Sequence, residues 1–154
     1  MIEREIGPWH FTCDPEGTRA AYLKVDTRGA DECGCLACQN FLAAWPQAHP
    51  DMVLDFLRAM GIDPHKEAEV IHYGDYGEDP TFYGWWFHAL GKVEEELDEG
   101  YSLTSNGYEL TETVSIQLSN RRDLAHSAFG DSPLIQVELF SHLPWALKKG
   151  RRRG

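Results

Sequence analysis

The segment Phe82–Val93 limits the fold more than any other stretch of the chain. Tyr83, Trp85, Phe87, Ala89 and Val93 fall on one side of an extended strand, and Phe82, Trp86, His88 and Leu90 fall on the other. A strand that is apolar on both sides must be covered on both sides, so the segment predicts a central strand with helices over one face and loops over the other. Two further stretches carry the two-residue period. Glu109–Ser119 points Leu110, Val114, Ile116 and Leu118 inward, with Glu112 interrupting the row at an end open to water. Leu134–Leu143 aligns Ile135, Val137, Leu139 and Leu143. Glu69–Tyr73 adds the start of the same sheet, and Asp123–Phe129 one or two helical turns ending at Gly130.

The first half reads differently. Pro8–Cys13 and Ala20–Asp26 are predicted as the two strands of an N-terminal hairpin, with Asp14-Pro15-Glu16-Gly17 as the turn. From Leu36 the pattern becomes helical: Cys38, Phe41, Leu42 and Trp45 share a face, and Pro46 closes the helix. A second helix, Pro50–Met60, has its proline at the first position, Asp51 at its positive end and Gly61 at its stop. Met52, Val53, Phe56, Leu57 and Met60 make its core stripe. Strands joined without an intervening helix pair antiparallel, so the class is α+β: a hairpin and a thiol-rich segment, two helices, then a mainly antiparallel sheet of three to four strands.

That thiol-rich segment is the one constellation with a specific chemical meaning. All four cysteines lie in the first quarter of the chain, three of them in Cys33-Gly34-Cys35-Leu36-Ala37-Cys38. Soft sulfur ligands at this spacing converge on one tetrahedral ion, and zinc is the usual one. Cys13 completes a structural four-cysteine zinc site if the hairpin lies alongside, with His10 as the alternative fourth ligand. Residues three apart on a flat strand face opposite ways, so Cys13 and His10 can both bind only where the strand bends or bulges. The alternative chemistry is a thiol-redox or metal-dependent enzyme using Cys35 and Cys38, because C-x-x-C running into a helix also describes thiol oxidoreductases. No H-E-x-x-H pair, phosphate-cradling glycine loop or serine triad can be read, so no residue is assigned a catalytic role. His72 and His88, on predicted strands that could set them facing across the sheet, are read as structural groups.

Charge bounds the partners. The net charge is −11, yet Lys148, Lys149, Arg151, Arg152 and Arg153 stand at the very end. Without them nine bases face 25 acids, and residues 1–147 carry about −16. So acidic a body repels phosphate backbones, which excludes nucleic acid from the globular part and suits a basic protein partner. Residues 1–147 are expected as a single domain and 148–154 as a basic, disordered tail. Tyr76, Trp85, Trp86, Glu94, Glu95 and Glu96 form the candidate binding surface. The apolar runs are too short to cross a bilayer, and the charged start Met1–Ile6 lacks a secretory signal, so a cytoplasmic location without membrane contact is expected.

The run Cys33-Gly34-Cys35-Leu36-Ala37-Cys38-Gln39-Asn40-Phe41, then Gly61-Ile62-Asp63 and Tyr83-Gly84-Trp85-Trp86-Phe87-His88, resembles a group of small uncharacterised bacterial proteins. The resemblance covers mainly residues 33–92. It implies a bacterial, intracellular protein and no particular activity. The resulting expectation is a small metal-stabilised, non-enzymatic protein-binding module.

Overall fold

The computed structural model describes residues 1–26, 29–96 and 107–147. Its centre is β4 (Thr81–Glu96), a strand of 16 residues. β4 pairs with β7 (Leu134–Leu143) from Thr81 to Leu90, with β3 (Glu69–His72) from Tyr83 to Trp86, and with β2 (Trp9–Cys13) from Gly91 to Glu96. Among the described residues β1 (Ile2–Ile6), β5 (Tyr108–Glu109) and β6 (Val114–Ser119) complete a seven-stranded sheet of order β1-β2-β4-β7-β6-β5, with β3 off this path on β4 and every pair antiparallel. The α+β class holds, and the sheet is larger than the three to four strands read from sequence.

The helices are α1 (Pro15–Tyr22), α2 (Gly29–Cys33), α3 (Leu36–Ala43), α4 (Trp45–Ala48) and α5 (Asp51–Ala59). α3 and the turn after α4 pack on the face of β4 that carries Tyr83, Trp85 and Phe87. Phe41 meets Tyr83 at 5.7 Å and Trp85 at 5.3 Å between ring centres, and His49 meets Trp85 at 5.5 Å. On the opposite face Phe129, in a 3₁₀ turn (Ser127–Phe129), meets His88 at 6.1 Å and Tyr22 of α1 at 5.3 Å. The central strand is thus covered twice, as its composition requires.

Several local expectations are corrected. The N-terminal hairpin exists, but its strands are β1 and β2, and Ala20–Asp26 is not a strand. Asp14 caps α1, its carboxylate accepting from the Gly17 N–H at 3.0 Å, and Pro15 takes the first helical position. Turn residues in that order start a helix as readily as a hairpin. Pro46 stops α3 but also opens the single turn of α4. In α5, Val53, Phe56 and Leu57 are buried while Met52 is exposed. Glu109–Ser119 is split, because Thr111 Oγ1 accepts from the Thr113 and Val114 N–H groups and folds the backbone into a turn. His72 and His88 do not face each other: the first lies opposite Tyr83, the second opposite Gln136. The expected disordered tail, 148–154, lies outside the described residues. Among the described residues no helix is long and apolar enough to cross a membrane.

Candidate metal centre

The local chain path gathers the thiols. α2 ends at Cys33, and Gly34, at φ +65°, takes the left-handed conformation that a helix stop favours. Its N–H still reaches Ala30 O at 3.2 Å. Cys35 then caps α3 from an extended conformation (φ −72°, ψ 169°), and its Sγ accepts from the Cys38 N–H at 3.4 Å. One thiol therefore ends a helix, one caps the next and one sits in that helix's first turn. The three sulfurs lie within 4.8 Å of one another. Burial is graded across the triad, from exposed Cys33 through half-buried Cys35 to buried Cys38.

The electrostatics follow that gradient. The Cys33 thiol is held below its ordinary value, first by hydrogen bonding from the Cys35 thiol, then by the Cys35 backbone and the Cys38 thiol. Burial pushes Cys38 up, and the other two sulfurs add to the effect. Between Cys33 and Cys38, negative charge settles first on exposed Cys33. A divalent cation overrides that difference by favouring the thiolate at all three positions. Three close cysteines of this kind can hold a metal ion.

The triad opens on a cleft of about 420 Å³ whose other wall carries His72, Asp75 and Tyr76. His72 is half-buried on β3. Its Nε2 lies 2.7 Å from Thr81 Oγ1, and its ring stacks on Tyr76 at 5.7 Å and 12°. Burial holds this imidazole below the ordinary value, while Glu78 and Asp75 pull it the other way.

α3, which holds Cys38 and is capped by Cys35, is fastened to the sheet by two residues that the sequence did not single out for this role. Tyr83 donates its hydroxyl proton to Ala37 O at 2.7 Å, in the middle of the thiol segment. Asn40, fully buried, donates from Nδ2 to Tyr83 Oη and to Pro144 O, both at 3.2 Å, and accepts from the Ala146 N–H at 2.6 Å. The available signal was a carboxamide at a helix position whose i−3 and i+4 neighbours, Ala37 and Ala44, are apolar. Burial lifts the Tyr83 phenol to about 12, against the hydrogen bond from Asn40. Its contribution to stability is complete below pH 10, where the phenol of the unfolded chain ionises, and is lost as the pH rises through about 12. Tyr83→Phe is expected to cost about 1–3 kcal/mol at pH 7, by orphaning the Asn40 and Ala37 groups. The same variant should lose less stability than the wild type between pH 10 and 12, read from urea midpoints at both ends of that range.

The other predicted site residues lie elsewhere. Cys13 is buried at the end of β2 opposite Gly91, where burial raises its thiol, and it is not part of the triad. His10, on the other side of β2, stands 3.6 Å from the Glu3 carboxylate. A bulge between His10 and Phe11 is present, yet Trp9, Phe11 and Cys13 still turn inward and His10 does not. Trp85 is fully buried and belongs to the core, which removes it from the candidate surface. Trp86, on the opposite face, is half-buried and donates its indole N–H to Asp123 O at 3.0 Å. Tyr76 is exposed at the rim of the thiol cleft. Glu94 is exposed and accepts from Thr12 Oγ1 at 3.2 Å. Glu95 and Glu96 extend β4 and pair with His10 and Trp9.

No protein-family model matches the chain, and no curated protein or solved structure shows significant similarity to it.

Proposed function

We propose that the protein is a zinc-stabilised, non-enzymatic binding module whose ion is held by Cys33, Cys35 and Cys38. The observation that carries this reading is the convergence of the three sulfurs within 4.8 Å. Tetrahedral zinc with Zn–S bonds of 2.3 Å sets its sulfurs about 3.8 Å apart, so a contraction of an ångström or less closes the triad on the ion. Soft thiolates in a reducing compartment select zinc over harder cations. The binding side of the proposal rests on the rim of the cleft, where Tyr76 is exposed together with Asp75 and Glu78. An aromatic anchor among carboxylates on a chain of net charge −11 suits a basic protein surface.

The second reading is a thiol-redox enzyme using Cys35 and Cys38. It is favoured by the Cys38 N–H donated to Cys35 Sγ at the start of α3, an arrangement that also stabilises a reactive thiolate.

One experiment separates the two. Protein purified under reducing conditions is assayed for bound metal, and its thiols are titrated in the native, chelated and denatured states. The zinc reading predicts one equivalent of zinc and no fast-reacting thiol in the native protein. Three thiols should react after chelation, and Cys13 only on denaturation. A metal-free protein with the triad reactive as isolated, and a reversible Cys35–Cys38 disulfide, would establish the redox reading instead.

A further inference from the structure

We infer that His72 supplies the fourth ligand through Nδ1, so that the site is a closed Cys₃His centre formed between β3 and the α2–α3 junction. The inference rests on the zinc reading and names what completes it.

Strand register puts His72 in place. His72 pairs with Tyr83, and the Tyr83 hydroxyl bonds to Ala37, between Cys35 and Cys38. Val70 and His72 alternate with Glu69 and Ile71, so they share the side of β3 that faces the thiol segment, and both line the thiol cleft. Neither of the ligands expected from sequence is available, since Cys13 and His10 lie on β2.

The outer contacts of the ring fit a ligand. Zinc-bound histidines characteristically give their second ring N–H to an oxygen, which fixes the tautomer and the ring plane. Nε2 lies 2.7 Å from Thr81 Oγ1, and in the tautomer that donates Nε2–H to that oxygen the lone pair is left on Nδ1. Stacking against Tyr76 and a tilted contact with Tyr83 at 4.8 Å limit the remaining rotation. His72 stands outside the 4.8 Å triad, so binding requires the ring to move toward the sulfurs within the cleft.

Charge and softness favour this ligand over its neighbours. Three thiolates and a neutral imidazole leave a Zn²⁺ centre at −1, whereas a fourth anionic ligand leaves it at −2. On a chain of net charge −11 with Asp75, Glu78 and Glu69 close to the cleft, the lower charge is the less repelled. Asp75 lines the same cleft but offers a hard oxygen, a poorer match to a thiolate-bound ion than imidazole nitrogen. A fourth protein ligand also makes the site structural, because a catalytic zinc keeps one position open.

The test uses the full chain loaded with one equivalent of zinc or cobalt. X-ray absorption of the zinc protein should show three sulfurs near 2.3 Å and one nitrogen near 2.0 Å with imidazole outer scattering. His72→Ala should keep one equivalent of cobalt but lose its tetrahedral visible bands, recovering them with added imidazole. Its zinc affinity should fall on the order of 100-fold, and that of Thr81→Val about 10-fold. Circular dichroism of each variant verifies its fold, and the wild-type absorption spectrum decides the ligand set even if a variant fails to fold. A four-sulfur shell, or a His72→Ala protein with unchanged affinity and cobalt spectrum, would overturn the assignment while leaving the zinc reading standing. A wild type that binds no metal overturns both.

Discussion

Trp85→Ala is expected to lower the free energy of unfolding by about 3–5 kcal/mol, measured by urea denaturation at neutral pH. The side chain is fully buried, and its indole N–H donates to His49 Nε2 at 3.1 Å. That bond makes Nε2 the acceptor, so Nδ1 carries the proton and donates it to Trp45 O at 3.0 Å. His49 stacks on Trp45 at 4.3 Å, and Trp45 stacks on His65 at 4.2 Å. Truncation therefore opens a cavity beneath Phe41 and removes the Trp85 hydrogen bond to His49 Nε2. Trp85→Phe restores most of the volume but not the hydrogen bond, and should recover more than half of the loss. A Trp85→Ala protein within about 1 kcal/mol of wild type would show that α3 and the α4 turn are not seated on β4 as described.

The parts of the fold legible in the sequence are those where burial writes its own period. β7 runs over Leu134–Leu143, the range its alternation predicts, and β4 contains the whole of Phe82–Val93. The misread parts have competing or silent signals. Ala21, Leu23 and Val25 alternate weakly, but the Asp14 cap and Pro15 act first, and the helix buries Ala21 and Tyr22 while Leu23 is 81% exposed. β1 carries no apolar signal because Glu3, Arg4 and Glu5 lie on an edge strand whose pairing with β2 alone defines it.

The site divides in the same way. Cys33, Cys35 and Cys38 were legible as a group because helix end, cap and first turn bring them together within six residues, with no long-range contact required. Whatever completes the site comes from elsewhere in the chain, and residue chemistry alone favoured the remaining cysteine. Cys13 lies outside the triad because it turns inward on β2, and the proposed ligand His72 comes to the cleft through the register of β3 against β4. Neither is encoded near the thiol segment. Adjacent Trp85 and Trp86 show the same limit, since strand alternation places one in the core and the other on the opposite, partly open face.

Removing the ion should destabilise the protein by about 4 kcal/mol when the wild type is saturated at a thousand times its dissociation constant. The loss should begin locally. α2 has only five residues, buries Ala30 alone, and is tied to the chain beyond α5 by Gly29 N–H to Glu67 O at 2.9 Å and Ala30 N–H to Glu67 Oε2 at 3.1 Å. A helix this short has no stability of its own, so it depends on what grips its ends. The Glu67 contacts hold one end, and in the proposed zinc-bound form the thiol-held ion would hold the other. α3, in contrast, is also seated by Phe41 against Trp85 and by Asn40 against Tyr83, contacts that involve no thiol. Chelation should therefore abolish amide-exchange protection in α2 and the first turn of α3, while β4 and β7 stay protected until global unfolding. Because the ligands must be deprotonated to bind, acidification should release the ion and reproduce the same pattern. If chelation left both the thermal midpoint and the α2 amides unchanged, the triad would not be a structural metal site. If the sheet lost protection together with α2, the metal would be supporting the whole domain rather than one corner of it.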